Sequence, residues 1–290
     1  MSRAAHALRL VSNRATRRIA IRYGAVLPMF PVLGFPKSGG TWLSRMLALT
    51  FDLPFAQIPT LPVAMPSVVQ GHWRPHPALR NATVITRDGR DVMVSFYFYC
   101  KLQYESGPAP RVRRMIERLY GRSPDLEDAR SNLPDFIGEM FDRPIGSSLN
   151  WSRYCAEWAG QPAVARVRYE RLIASPTDEL ERIARFHGRM ADPQRVRLAV
   201  EINSMARLTG RKPGEEDRGS IVRKGVSGDW AEHFSDEARE LFADLAGATL
   251  VKLGYERSAA WRTWPAPPAP PTPGDQAGAG NADPSGSVPS

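Results

Sequence analysis

Three absences bound this chain before its motifs are considered. Only two cysteines, Cys100 and Cys155, occur in 290 residues. That is no disulfide framework, so both read as free thiols of a reducing compartment, and a cytoplasmic protein is expected. No apolar run approaches the ~20 residues needed to span a bilayer; the run over residues 25–34 is short and is broken by Pro28 and Pro31. Acidic residues are missing altogether before Asp52, while residues 1–22 carry Arg3, Arg9, Arg14, Arg17, Arg18 and Arg22, six charges of a formal net +9. The remainder is only mildly basic, which suits a small anionic ligand better than a nucleic-acid groove. The basic arm, residues 1–25, is compatible with a solvated or partly docked helix, with a helix lying on an anionic membrane surface, and with a transit peptide. As a helix it would put Leu8, Val11, Ala15 and Ile19 roughly on one side.

The most informative stretch is Phe30-Pro-Val-Leu-Gly-Phe-Pro-Lys-Ser-Gly-Gly-Thr-Trp-Leu43. An apolar strand, a turn containing Pro36, Gly39 and Gly40, and a helix with Trp42, Leu43, Met46 and Leu47 on one face make the geometry of a phosphate cradle. Gly34, Gly39 and Thr41 fit the Walker A spacing, but Gly40 stands where the lysine belongs. The cation is Lys37, inside the loop, and would reach a phosphate from another direction. An ordinary Mg²⁺-dependent NTPase is therefore disfavoured. No carboxylate cluster reads as a metal site, and none is expected.

Further strands are expected over residues 67–70, 81–87 and 163–169, each short and β-branched or apolar. Asp91 reads as the N-cap of a helix over residues 92–102. Residues 53–66 read as an irregular connection, and residues 103–135 as a mobile insertion with one short helix near 112–120. Helices follow over residues 149–159, from Pro176 to a stop at Gly188, from Pro193 towards Leu208, and from Ser235 to about Leu253. Alternating strands and helices give an α/β fold, P-loop NTPase-like, with three layers and a mainly parallel central sheet flanked by helices. The division expected is an arm over 1–25, one domain over 26–257, and a Pro/Ala/Gly-rich disordered tail over 258–290.

Four stretches together resemble the sulfotransferases that use 3′-phosphoadenosine 5′-phosphosulfate (PAPS). They are Phe35-Pro-Lys-Ser-Gly-Gly-Thr-Trp-Leu43, Thr86-Arg-Asp-Gly-Arg-Asp-Val-Met-Val-Ser-Phe96, Val167-Arg-Tyr-Glu-Arg-Leu172 and Arg223-Lys-Gly-Val-Ser-Gly-Asp-Trp230. They stand in the family's order and span roughly residues 30–256. The resemblance implies transfer of a sulfuryl group from PAPS to an acceptor hydroxyl, less readily an amine, without a metal. It implies that Lys37, Ser38, Gly39, Gly40, Thr41 and Trp42 hold the 5′-phosphosulfate, with Lys37 stabilising the leaving phosphate. Arg87 and Ser95 would grip the 3′-phosphate, the turn of Arg223, Lys224 and Gly225 would close over it, and Tyr169 would contact the adenine. His72 is the implied general base; His76, four residues on, and an unidentified carboxylate are its competitors. The loop departs from the family in carrying Gly40 where a threonine is usual, and residues 53–66 and 103–148 match no acceptor class. A small molecule, a lipid and a carbohydrate all remain open as acceptor. Two other classes stay open beside this one: a P-loop small-molecule kinase, against which Gly40 and the Arg87/Ser95 pair speak, and a non-catalytic basic nucleic-acid-binding protein, against which the concentration of charge in the arm speaks.

Overall fold

The computed structural model describes residues 3–57, 61–107, 109–258 and 261. Its strands are β1 (Met29–Gly34), β2 (Phe55–Gln57), β3 (Ser67–Gly71), β4 (Thr83–Thr86) and β5 (Ala165–Arg168). Its helices are α1 (Arg3–Tyr23), α2 (Gly40–Phe51), α3 (Gly89–Ser106), α4 (Pro110–Tyr120), α5 (Ala129–Asp142), α6 (Trp151–Ala159), α7 (Tyr169–Ala174), α8 (Pro176–Phe186), α9 (Pro193–Ile202), α10 (Met205–Thr209), α11 (Trp230–His233) and α12 (Asp236–Lys252). The strands form one sheet in the order β2-β3-β1-β4-β5, and each pairing is parallel.

β1 lies at the centre and is buried along its whole length. Pro31, which has no N–H to give a ladder, sits where β4 has not yet joined β1, since that pairing begins at Val32. Alternate side chains of the sheet go to opposite faces. Phe30 and Val32 pack with Val68, Ile85 and Val167 beneath Leu43, Met46 and Leu47 of α2 and Leu180 and Ile183 of α8. Leu33, Val69 and Val84 face the larger layer built from α3, α5, α6 and α12.

Several local expectations change. The connection after α2 contains β2, whose Phe55 pairs with Val68. α3 starts at Gly89 and its cap is Asp88, whose carboxylate accepts from the Arg90 N–H (2.9 Å); Asp91 is left for another task. The stretch read as a mobile insertion holds two packed helices, α4 and α5, because Val112, Met115 and Ile116 on one and Leu133, Phe136, Ile137 and Met140 on the other recur every three or four residues and are buried. The helix expected from Pro193 towards Leu208 breaks after Ile202. There the Asn203 side chain donates to the Ala199 carbonyl (2.9 Å), and Ser204 caps the short α10.

The basic arm is a helix, but Leu8 and Val11 are exposed, at 50% and 62%. The face turned inward is Ser12, Thr16 and Ala20, small enough for close approach. Asn13 Oδ1 accepts from the Trp73 indole (2.9 Å), and Thr16 Oγ1 accepts from the Val63 N–H (3.0 Å). Leu8, Val11, Arg14 and Arg18 point outward. Trp261, within the expected tail, is buried against Trp230 and Phe242, with ring centroids 6.1 and 6.5 Å away. Residues 262–290 lie outside the described residues.

If α5 belongs to the core, Phe136→Ala should destabilise the protein by about 3–5 kcal/mol in urea unfolding. A loss under about 1 kcal/mol would return the segment to a loosely attached flap.

Candidate active site

The loop between β1 and α2 is shaped by its glycines. A Cβ on Gly34 would lie 2.8 Å from Ile85 Cγ2, and one on Gly39 would lie 2.6 Å from the Tyr169 ring. Gly39 also has φ +90°, the left-handed region open to glycine. Lys37 adopts φ +70° although it carries a Cβ, a conformation seldom taken outside functional turns. Its ammonium lies 4.7 Å from the centre of the Tyr99 ring. Burial first, then the neighbouring charges of Arg87 and Arg223, push the Lys37 ammonium down to about 8, with the Cys100 thiol pulling the other way.

Ser38 is buried, and its hydroxyl finds no partner among the described residues. The Thr41 hydroxyl donates to Gln70 Oε1 (3.0 Å) on β3. The Trp42 indole donates to the Asn203 carbonyl (2.8 Å) and meets Tyr169 edge-on at 6.0 Å. Gln70 and Asn203 were not foreseen, because neither lies in a motif and each reaches the loop from a distant part of the chain.

Arg87, at the end of β4, donates from Nη1 to the Lys37 carbonyl (3.3 Å) and from Nη2 to the Val226 carbonyl (3.1 Å). Its guanidinium lies 4.4 Å above the Tyr169 ring and 3.8 Å from the Asp91 carboxylate, while Nε is buried without a partner among the described residues. Asp91 accepts from the backbone N–H groups of Gly228 (2.8 Å) and Trp230 (3.0 Å). Burial pushes its carboxyl up to about 6, against the pull of Arg87. An aspartate four residues after an arginine, at a helix start, was the available signal for this pair. Ser95 stands further along α3, half-buried.

The basic turn is held by its own carboxylates. Arg223 pairs with Asp229 and Glu216, and Lys224 with Asp229 (2.7 Å) and Glu232 (2.8 Å). Gly225 has φ +67°, and a Cβ there would lie 2.8 Å from Met205 Sδ. Ligand atoms of Asp229, Glu232 and His233 all lie within 4.8 Å of one another, but Lys224 and Arg223 already neutralise these carboxylates. Although burial raises it, the Asp229 carboxyl is held far below the usual range by His233, Arg223 and Lys224.

His72 follows β3, and its Nδ1–H donates to the Gly34 carbonyl (2.6 Å). A carbonyl can only accept, so the tautomer is fixed and Nε2 keeps its lone pair. Burial lowers the imidazole below its ordinary value, and the Gly34 bond opposes this. His76 is exposed, and its Nδ1 accepts from the Ala78 N–H (3.2 Å) of its own turn.

The ends of β1, β4 and β5 thus bring Lys37, Arg87 and Tyr169 together with the 223–230 segment, while β3 delivers His72 to the loop's first glycine. A parallel sheet with a glycine-rich loop leading from the central strand into a helix defines a P-loop NTPase-like fold, with its site at the carboxyl ends of the strands. Within that class, residues 80–254 match the family model of the Sulfotransferase domain, and the chain belongs to this family of PAPS-dependent sulfotransferase enzymes. Among curated proteins it is 26% identical over 259 residues to Sulfotransferase 1A1 of Canis lupus familiaris, covering 73% of this chain and 80% of that protein. It is 23% identical over 273 residues to Sulfotransferase 1E1 of Bos taurus, covering 76% and 84%. Among solved structures, mouse sulfotransferase SULT7A1 complexed with PAP, the adenosine 3′,5′-bisphosphate product, has a TM-score of 0.58 at 15% identity, over 86% of this chain and 94% of that one. Retinol dehydratase in complex with androsterone and inactive cofactor PAP has a TM-score of 0.53 at 16% identity, over 82% and 85%.

The Lys37 ammonium is charged below about pH 8 and neutral above it, so its attraction for an anion should be present at low pH and lost as pH rises through that value. Amine-specific acylation of the free protein, mapped by peptide mass spectrometry, should give Lys37 a reactivity midpoint at about pH 8. Inorganic pyrophosphate should move it upward. A midpoint near the ordinary lysine value, ~10.4, would mean that the loop does not desolvate this amine.

Proposed function

We propose that the protein moves a sulfuryl group from PAPS to an acceptor hydroxyl, with PAP as the other product. The observation that carries this reading is a set of buried polar atoms without partners among the described residues, Ser38 Oγ and the Nε atoms of Arg87 and Arg223, in the segments where the family resemblance puts the two phosphate groups. Donors of this kind are costly unless they meet an acceptor, and anionic oxygens suit all three. The PAP-bound neighbours support the same donor. The donor supplies an activated sulfuryl group on a phosphate leaving group. Lys37 would place positive charge against the leaving oxygen, and the loop N–H groups and Ser38 would hold the phosphosulfate. Arg87, Ser95, Arg223, Lys224 and Gly225 would surround the 3′-phosphate, while Trp42 and Tyr169 would border the adenine. His72 Nε2 would take the acceptor proton. His76 is tied into its own exposed turn, which favours His72. A small organic alcohol or phenol is the acceptor class put forward, in keeping with the steroid and retinoid ligands in the names of the solved relatives.

Calorimetric titration in EDTA should show PAP binding more tightly than AMP. Arg87→Ala should remove about 2–5 kcal/mol from PAP binding and leave AMP nearly unchanged. Equal losses for the two ligands would sink the assignment of Arg87 to the 3′-phosphate, and a preference for ATP with Mg²⁺ would favour a kinase.

The base is tested with a series of acceptors of falling pKa. His72→Ala should slow transfer about 10²–10⁴-fold with an alkyl alcohol, less with a phenol that is already partly ionised, and PAP affinity should hold. His76→Ala should behave as wild type. If the two variants exchange these behaviours, the base is His76; if neither slows, it is a carboxylate.

A further inference from the structure

Asp91 has no part in the roles given above. It is fully buried, with 0% of its side chain exposed, and α3 does not need it as a cap because Asp88 serves there. A carboxylate in such a place costs several kcal/mol unless its charge and lone pairs are met. Here they are met by three groups: the Gly228 N–H at 2.8 Å, the Trp230 N–H at 3.0 Å and the Arg87 guanidinium at 3.8 Å. Arg87 in turn holds the Val226 carbonyl. Residues 226–230 are thus gripped twice, through a carbonyl by the arginine at the end of β4 and through two N–H groups by the aspartate in the first turn of α3. Arg223 and Lys224 precede this gripped backbone directly, and both are tied to Asp229 within it.

We infer that Asp91 is a positioning residue for 3′-phosphate recognition, setting Arg87 and the Arg223–Lys224 turn in one fixed arrangement from the interior of α3. The inference rests on the donor reading above and goes beyond it, because Asp91 need touch no part of the nucleotide. Its contacts run to Arg87 and to residues 228–230, away from the hydrogen bond that sets His72. Its influence should therefore stop at the 3′ end of the donor. Asn in its place has the same size, yet it turns an NH₂ towards one of the two N–H groups and cancels the attraction to Arg87.

The experiment compares PAP with AMP, which lacks the 3′-phosphate, on wild type, Asp91→Asn, Arg87→Ala and the double variant. Asp91→Asn should cut the preference for PAP over AMP by about tenfold or more, while AMP affinity stays within about threefold. The donor KM should rise, and kcat at saturating donor should stay within about threefold. In the Arg87→Ala background, Asp91→Asn should cost less than it does in wild type, since only its hold on the Arg223–Lys224 turn is then left to lose. Amide hydrogen exchange on the wild-type protein gives a reading independent of any variant's folding: PAP should slow exchange at Gly228 and Trp230, and AMP should not. Equal losses for PAP and AMP, full additivity with Arg87→Ala, or equal protection by the two nucleotides would each overturn the inference. A wild-type protein indifferent to the 3′-phosphate would overturn the donor reading and this inference with it.

Discussion

The site depends on the burial of one guanidinium. Arg87 is 9% exposed, and a cation so placed costs several kcal/mol unless its surroundings answer it. The answer comes from four separate parts of the chain: the Lys37 carbonyl in the loop after β1, Asp91 in α3, the Tyr169 ring at the start of α7, and the Val226 carbonyl beyond α10. Those parts are the four stretches in which the family resemblance lies. Their proximity is thus a condition for burying the charge as well as a result of the sheet topology. Arg87 therefore belongs to the packing of the fold as well as to the site.

On the other side of the loop a single carbonyl sets the second half of the chemistry. Gly34 ends β1 and has no room for a Cβ beside Ile85, so the backbone of β1 and β4 stays close here. The Gly34 carbonyl receives the His72 Nδ1–H and leaves Nε2 as the basic nitrogen. Three residues later, Lys37 takes its left-handed conformation, its carbonyl bound to Arg87 and its ammonium over Tyr99. A backbone conformation of this kind costs about 1–3 kcal/mol, and it is held by the contacts on either side. His72, Lys37 and Arg87, to which the proposed chemistry gives the proton, the leaving group and the 3′-phosphate, are therefore all tied to the backbone of one short turn.

Much of this was legible in the sequence wherever the signal is local. The apolar run, the glycines and the following helical face gave β1, the loop and α2, and the short β-branched runs gave β3, β4 and β5. What escaped was set by distant partners. Asp91 looks like a helix cap because cap residues and buried ion-pair partners are the same residue types, and only the 228–230 backbone tells them apart. Gln70 and Asn203 sit in unremarkable segments and matter only because the sheet and α9 bring them to Thr41 and Trp42. In the arm the apolar periodicity does not mark the docked face, because α1 docks through the small residues Ser12, Thr16 and Ala20, with Asn13 and Thr16 accepting from an indole and a backbone N–H. In α4 and α5 the glycines and prolines, with Pro134 and Gly138 inside α5 itself, masked a helical periodicity strong enough to build core.

The departure from Walker A is not a matter of space. A Cβ on Gly40 would find only the Gln70 side chain, at 3.6 Å and beyond, which is ordinary contact. A side chain could be carried there, so its absence does not relieve a clash. The neighbouring hydroxyl points to the difference. In a Walker A loop the Ser/Thr hydroxyl serves the Mg²⁺ ion, but here Thr41 gives its proton to Gln70 across the sheet, an arrangement that ties the start of α2 to β3. With Lys37 placed three residues before the Walker position, positive charge enters the cradle through the turn itself, where burial and then the charges of Arg87 and Arg223 lower the lysine's proton affinity. Under the donor proposed, the same strand–loop–helix frame would set side-chain cations at both ends of a doubly phosphorylated nucleotide.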